Sequence, residues 1–436
     1  MLARRAAVAV AMILGLVAAG CGTARQMPNP NGTGPALKTL VFYDQGAEPP
    51  GGGNIQPLVA ANRSAIAVLA PDWYKVMPDG SLRDLSTNAL KTFATKENIK
   101  LTPLVVNYNG TSSFLLNATA RNKAVNALAT MLKNHPSYAG LNIDFELLKP
   151  SARSGLVLFM QALYGKTQAL HKTLTIDVIP AGSRRQASQA YNFPKLAQSA
   201  TDIVLMTYDA HDDGSAPGPV APLNWVRARV NLALTLGVPA NRLIVGLADY
   251  GYDWSAGSTK AATLSLAQIR SLVTKYHVPI QRMSDGTPHF TYTANGVKHI
   301  VYYEDGVAIQ PIIRFARSKG VAGLALWMAG YENAAYWSAL RSAAGTGPAV
   351  TPTGPQVSKT STTGKKPSTT GKTKTSGTTT TNKTGKSSGT TKGTLGTSNT
   401  KKSGTSNTKK SGTSSTKKTS KSTAPSGPSG TKSKTA

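Results

Sequence analysis

The chain has 436 residues, one cysteine and a formal charge of +30 at pH 7. That length holds one α/β domain of roughly 250 to 300 residues with extensions at its ends, and a lone cysteine excludes an intrachain disulfide. More than half of the excess charge comes from the 17 lysines of residues 346–436, a segment without aromatic residues, Asp or Glu, so the charge speaks about surface contacts and not about the fold.

Residues 1–21 open with Arg4 and Arg5, continue through the apolar run Ala6 to Ala19 and end Val17-Ala18-Ala19-Gly20-Cys21. A basic start, a short apolar core and small terminal residues make a secretory signal, because the apolar run is too short to span a bilayer. The position of Cys21 resembles the lipobox of bacterial lipoproteins, in which signal removal leaves an acylated Cys at the new N-terminus. Ala18 stands where Leu is usual, so secretion without a lipid is the rival expectation. Residues 22–36, rich in Gly, Pro, Asn and Thr, are expected to be a tether.

Runs of β-branched and apolar residues bounded by turn formers then predict eight strands: Leu37 to Tyr43, Ala65 to Ala70, Leu101 to Asn107, Gly140 to Glu146, Leu174 to Pro180, Asp202 to Tyr208, Arg242 to Ala248 and Val321 to Trp327. Helical patterns fill most of the gaps, at 85–96, 121–134, 152–170, 187–199 and 222–236. Strand-then-helix repeated eight times predicts a (β/α)8 TIM barrel over residues 37–345. The gap before the eighth strand is long. A helix near 264–276 and two strand-like pieces, His289 to Thr293 and Lys298 to Tyr303, separated by Asn295-Gly296, predict a small α+β insertion at about 255–306 with a hairpin in it.

Past residue 345 the composition is mostly Thr, Ser, Gly and Lys, with Thr-Ser-Asn-Thr-Lys-Lys-Ser-Gly recurring every eight residues from about 397. Such a segment buries too little apolar surface to offset its ordering entropy and is expected to be disordered. Its concentrated positive charge suits an anionic cell-wall polymer or a membrane surface, and a merely solvating stalk fits equally. Nucleic acid is not an expected partner, because the tail lacks interleaved aromatics and the export signal removes it from the cytoplasm.

The fourth strand organises the domain. In Gly140-Leu141-Asn142-Ile143-Asp144-Phe145-Glu146, alternation puts Asn142, Asp144 and Glu146 on one face and Leu141, Ile143 and Phe145 on the other. On a half-buried strand the polar face would simply meet water. Between two helices, however, the strand belongs to a parallel sheet covered on its outside, so the acidic row points into the barrel. Paired carboxylates there push their pKa values apart and keep one protonated, which supplies a general acid, and Glu146 is the better placed of the two. Barrel active sites lie at the C-terminal ends of the strands, and here those ends carry Tyr43, Trp73, Tyr74, Tyr108, Tyr208, Tyr250, Tyr252, Trp254 and Trp327. Flat rings stack on sugar faces, so acid plus aromatics points to a glycan.

These residues resemble glycoside hydrolase family 18, the chitinase-like barrels. The family's strand-four signature Asp-Gly-x-Asp-x-Asp-x-Glu is met by Ala139 to Glu146, its strand-six Met-x-Tyr-Asp by Met206-Thr207-Tyr208-Asp209, and its strand-eight Trp by Trp327. The forms Gly-Leu-Asn-Ile-Asp-Phe-Glu, Gly251-Tyr252-Asp253-Trp254 and Tyr302-Tyr303-Glu304-Asp305 are most similar to the bacterial branch of spore-germination and cortex-lytic N-acetylglucosaminidases. The resemblance implies substrate-assisted, retaining hydrolysis, an exception to the usual two-carboxylate scheme. Glu146 would protonate the glycosidic oxygen, Asp144 would orient the substrate's attacking acetamido group, and Tyr208 would donate a hydrogen bond to it. Asp209 and Met206 would hold and line the sugar, Trp327 would form the floor, and Tyr43 would support Asp144, with Tyr252 as a further sugar contact. Ala139 and Asn142 replace the first two Asp residues of the signature, so Asn142 is expected to alter how Asp144 titrates.

Peptidoglycan is the preferred expected substrate and chitin or its oligosaccharides the alternative. The competing expectation is a non-catalytic, glycan-binding wall lipoprotein on the same barrel, although lectin-like members of the family typically lose the acid at the position of Glu146. The histidines are scattered and no phosphate-cradling Gly-rich motif follows a strand, so neither a metal nor a nucleotide cofactor is expected. His211 with Asp212 and Asp213 is expected to be a loop lip. The domain is expected to act as a monomer outside the cytoplasm.

Overall fold

The computed structural model describes residues 35–46, 53–183 and 186–347. Cys21 and the signal segment, all but the last two residues of the tether, and the lysine-rich tail beyond 347 lie outside the described residues.

Eight parallel strands close on themselves: β1 (Lys38–Tyr43), β2 (Val68–Val76), β3 (Leu104–Asn107), β4 (Gly140–Asp144), β5 (Thr173–Val178), β6 (Asp202–Leu205), β7 (Leu243–Ala248) and β8 (Gly323–Trp327). Each pairs with its neighbour in chain order, and β8 returns to β1 with Lys38 opposite Gly323 and Val41 opposite Leu326. This is the expected (β/α)8 barrel. Alternation along the strands separates two cores. Leu40, Phe42, Ala70, Leu104, Val204, Ile244 and Ala325 fill the barrel's inside. Val41, Leu141, Ile143, Phe145, Ile176 and Leu205 face outward and join the helices in one continuous outer core.

The helices form where the apolar stripe and the caps agree. Asn117 accepts from the Ala120 N–H and starts Ala118–Asn134, and Ser265 with Gln268 makes a capping box that starts Leu266–Tyr276. Arg153–Ala169 buries Leu156, Phe159, Met160 and Leu163 against the sheet. Leu223–Thr235 matches its expected range within a residue at each end. The expected helix 187–199 is shorter, at Phe193–Gln198, because Pro194 and the capping Asn192 start it late.

Four expectations differ from the structure. The second strand does not begin at Ala65, which lies in a 3-10 turn, but runs from Val68 to Val76 with a register shift between Asp72 and Tyr74. Trp73 and Tyr74 are therefore fully buried beside Tyr138, Tyr74 and Tyr138 sharing a 3.2 Å hydroxyl contact, and neither stands at the barrel mouth. The third strand is interrupted after Leu101, where Pro103 has no N–H to give a ladder. The fourth strand ends at Asp144, two residues before Glu146.

The insertion is larger than expected because it starts earlier. Tyr250–Ser255, ahead of the expected start at about 255, is itself a strand, pairing with Ala262–Ser265 on one side and Val297–Tyr303 on the other. Pro288–Ala294 pairs with Val297–Tyr303 across a two-residue turn in which Asn295 (φ 49°) and Gly296 (φ 77°) are both left-handed, the form that Asn-Gly favours in hairpins.

The outer core is tightest where β4 meets its following helix. Phe145 lies 5.1 Å edge-to-face from Phe114 and 5.2 Å from Phe159, all three fully buried. Phe159→Ala is expected to cost about 3–5 kcal/mol of stability, read as a lowered midpoint in urea unfolding; a shift corresponding to under about 1 kcal/mol would contradict this packing.

Candidate active site

The C-terminal ends of the barrel strands open into a cleft of about 510 Å³ that contains Asp144, Glu146, Asp177, Met206, Tyr208, Asp209, Tyr252 and Trp327. Of the residues given a catalytic or sugar-binding role from sequence, Asn142 and Tyr43 are missing from its wall, and of the aromatics expected at the mouth Trp73, Tyr74, Tyr108 and Trp254 are missing too. Asn142 lies one layer deeper, fully buried, and donates from Nδ2 to Asp177 Oδ2 at 2.6 Å. Tyr43 faces the other way. Parity on β1 turns Phe42 inward, 5.5 Å from Trp327, and Tyr43 outward into the helical core, where its hydroxyl donates to the Gly53 carbonyl and not to Asp144.

Glu146 stands beyond the end of β4 and is held by its backbone. The Asn107 side chain at the end of β3 accepts the Glu146 N–H at 2.9 Å and donates to the Glu146 carbonyl at 2.8 Å. The next residue, Leu147, takes a left-handed φ of 53° and stands 72% exposed at the rim.

Three carboxyl groups meet below it. Burial holds Asp144 well above the usual carboxylate range, and Glu146, Asp177 and Asp72 add to this by repulsion. Asp177 is likewise raised by burial, against the Asn142 hydrogen bond, which favours its charged form. Asp144 Oδ1, Asp177 Oδ1 and Asn142 Oδ1 are buried and have no hydrogen-bond partner among the described residues, and no Lys, Arg or His of the described residues lines the cleft. Buried, like-charged carboxyls at this density resist ionising together, which favours protonated forms in the site.

Tyr208 closes the cluster from the end of β6. Burial first, then the fields of Asp177, Asp144, Glu146 and Asp209, raises its hydroxyl pKa well above the ordinary value, which keeps it a donor. Its ring needs the bare backbone of Gly246 on β7: a Cβ there would sit 2.9 Å from the Tyr208 ring and 2.8 Å from the Leu205 carbonyl. Asp209 is left-handed at φ 59°, and its Oδ1 accepts from the Tyr250 hydroxyl at 2.7 Å and the Tyr252 hydroxyl at 2.9 Å. Tyr252 is thus only 7% exposed and serves Asp209 as much as any ligand. His211 and Asp212 line a second cavity beside the first.

Sequence inspection missed Asp177 and Asn107, and placed Tyr250 at the mouth without its role as a partner of Asp209. Asp177 was legible by the rule applied to β4, since in Leu174-Thr175-Ile176-Asp177 polar and apolar residues also alternate. Asn107 carried no such signal, because its role depends on a neighbouring strand.

A (β/α)8 barrel that gathers buried carboxyls, a tyrosine hydroxyl and a tryptophan at its strand ends defines a carbohydrate-cleaving barrel enzyme, a glycosidase. The chain belongs to glycosyl hydrolases family 18, which residues 67–332 match. It is 29% identical over 291 residues to an uncharacterized glycosylase, YvbX, of Bacillus subtilis, covering 63% of this chain and 83% of the relative. A cortical fragment-lytic enzyme of Bacillus anthracis is 25% identical over 335 residues, 72% of this chain and 76% of the relative. Among solved structures, the spore cortex-lytic enzyme SleL of Bacillus megaterium superposes with a TM-score of 0.62 at 24% identity, over 72% of this chain and 75% of that one. A chitinase from Chromobacterium violaceum gives 0.65 at 23% identity, over 71% and 99%. These two structures share the barrel fold, and the sequence relatives match the cortex-lytic branch that the motifs resemble.

The proton held in the site has a measurable cost. Burial, opposed by Lys75 and reinforced by Asp44, raises Asp72 to about 6. The unfolded chain releases this proton near pH 4, so between about pH 4 and 6 the native state binds more protons than the unfolded one and stability falls as pH rises. Asp72→Asn is expected to flatten that part of a stability–pH curve measured by urea unfolding; an unchanged slope would contradict the assignment.

Proposed function

We propose that the barrel hydrolyses β-1,4-linked N-acetylglucosamine glycans with retention of configuration, the acetamido oxygen of the substrate acting as the nucleophile. The observation that carries this reading is the cluster at the ends of β4, β5 and β6. There Asp144, with a buried oxygen that has no hydrogen-bond partner among the described residues, lies among the acids Asp177 and Glu146 and beside a protonated Tyr208 hydroxyl. Glu146 gives its proton to the glycosidic oxygen as the bond breaks. Asp144 aligns the acetamido group and offsets the positive charge of the cyclic intermediate, and Tyr208 donates to the acetamido oxygen, a preorganised electrostatic contribution. Trp327 floors the site and Asp209, steadied by Tyr250 and Tyr252, holds the sugar.

Peptidoglycan is the preferred substrate. The cortical fragment-lytic relatives favour it, and so does an export signal ending at Cys21 followed, at the far end, by a lysine-rich tail. An acylated Cys21 would tether the enzyme to the membrane, with the tail resting on anionic wall polymer or lipid. Chitin oligosaccharides, which need the same acetamido group, are the second substrate class.

Incubating the mature protein with purified peptidoglycan and with chitin oligosaccharides tests this directly, the release of reducing ends being the readout. Glu146→Gln is expected to lower turnover about 10²–10⁴-fold and Tyr208→Phe about 10²-fold, both with intact folding. No reducing ends from either substrate between pH 4 and 8 would end the proposal. Separately, Cys21→Ser is expected to move the protein from the membrane to the soluble fraction; unchanged membrane partitioning would exclude the lipid anchor.

A further inference from the structure

A second cavity of about 500 Å³ adjoins the acidic cleft and shares Met206, Tyr208 and Asp209 with it. Its wall differs in one respect: beside Asp209, His211 and Asp212 it carries an arginine, which the cleft does not. The far wall is the first part of the helix Leu223–Thr235, which presents Asn224, Trp225 and Arg229, and the near wall is the segment after β5, Ile179 to Ser183. An arginine at this place is unexpected in a site otherwise built to hold protons and a neutral sugar.

The backbone is shaped around that arginine. Gly182 has φ +70°, and a Cβ on it would lie 2.5 Å from Arg229 Nη1, so the glycine lets the guanidinium close against the loop. Nη1 donates to the Ala181 carbonyl at 2.8 Å, and the guanidinium lies 5.7 Å from the Trp225 ring centroid. Nothing else engages it: Nε is buried without a partner, and Arg229 forms no ion pair among the described residues. A guanidinium offers five N–H donors in a rigid fork that matches a carboxylate, and only one of the five is committed here. The nearby acids are turned to other tasks, Asp212 Oδ1 accepting from the Gly214 N–H and Asp209 Oδ1 from two tyrosines.

We propose that this cavity is an anion subsite in which Arg229 pairs with a carboxylate carried on the glycan chain next to the bond that is cut. This rests on the hydrolytic reading above and deepens it. A plain N-acetylglucosamine polymer has only neutral acceptors to offer Arg229, whereas a sugar bearing an ether-linked lactyl acid, or a peptide ending in carboxylates, has an anion. A volume of about 500 Å³ accommodates a sugar with its substituent. Arg229 thereby separates wall polymer from chitin, and the catalytic cleft, common to both, does not.

The test uses the full chain, Arg229→Gln and Arg229→Lys, and three soluble substrates: chitin oligosaccharide, peptide-free muramyl oligosaccharide and peptide-bearing muramyl oligosaccharide. The ratio of kcat/KM on a carboxylated substrate to that on chitin oligosaccharide is expected to fall about tenfold or more in Arg229→Gln, and less in Arg229→Lys, which keeps the charge without the fork. A fall confined to the peptide-free substrate identifies the lactyl acid, and one confined to the peptide-bearing substrate identifies the peptide. Equal proportional losses on all three would reduce Arg229 to a support for Ala181, and no loss would remove it from the site; either overturns the proposal. Should the unsubstituted protein hydrolyse nothing, calorimetric binding of the two muramyl oligosaccharides by the Glu146→Gln protein, with and without Arg229→Gln, still decides. Unchanged affinity for both on adding Arg229→Gln overturns the subsite, and about tenfold weakening for either sustains it.

Discussion

The rest of the site depends on a crowd of carboxyl groups gathered at the barrel mouth, where among the described residues no Lys, Arg or His lines the cleft. Water would stabilise each as an anion. Inside the barrel that hydration is lost, and Asp144, Asp177 and Asp72 are all pushed toward their protonated forms. Burying an unpaired charge costs several kcal/mol even after relaxation, so the barrel holds protons in preference to charges. An enzyme that must give up a proton at the moment of bond cleavage thus has its supply built into the fold, at some expense of stability.

The scaffold converts this electrostatic constraint into geometry through features that are individually small. Parity on each strand decides which side chains enter the barrel: Asn142, Asp144 and Asp177 enter, while Leu141, Ile143 and Ile176 pack against helices. Gly246 leaves the space that the Tyr208 ring occupies. The insertion after β7 contributes to the site, because its first strand supplies the two hydroxyls that fix Asp209. Rings from Tyr208 through Tyr250 and Tyr252 to Trp254 follow one another at centroid spacings of 6.3, 5.6 and 5.6 Å, so the insertion and the barrel meet through aromatic packing.

Much of this was visible in the sequence, for definite reasons. The eight strands were legible because parallel strands buried on both faces are short, β-branched and punctuated by turns, and the acidic row of β4 was legible because period two survives any detail of packing. What failed was information that lies between segments. Trp73 and Tyr74 were expected at the mouth because they follow an apolar run, but the strand continues through them with a bulge and turns them into the outer core. Tyr43 was misassigned because strand one was not placed in phase with the others; once Phe42 faces inward, Tyr43 cannot. Arg229 gave no signal at all, since nothing in the sequence of a helix tells which loop its side chain will meet.

Asn107 has a consequence for how such barrels diversify. Because its amide ties down both the N–H and the carbonyl of Glu146, the acid is moored to the adjacent strand and not to the loop that follows. The backbone of the proton donor is thereby set by the barrel wall, while its neighbour Leu147 stands exposed at the rim. A lineage built this way is able to explore new polymers by rewriting its rim while the bond-breaking apparatus stays in register.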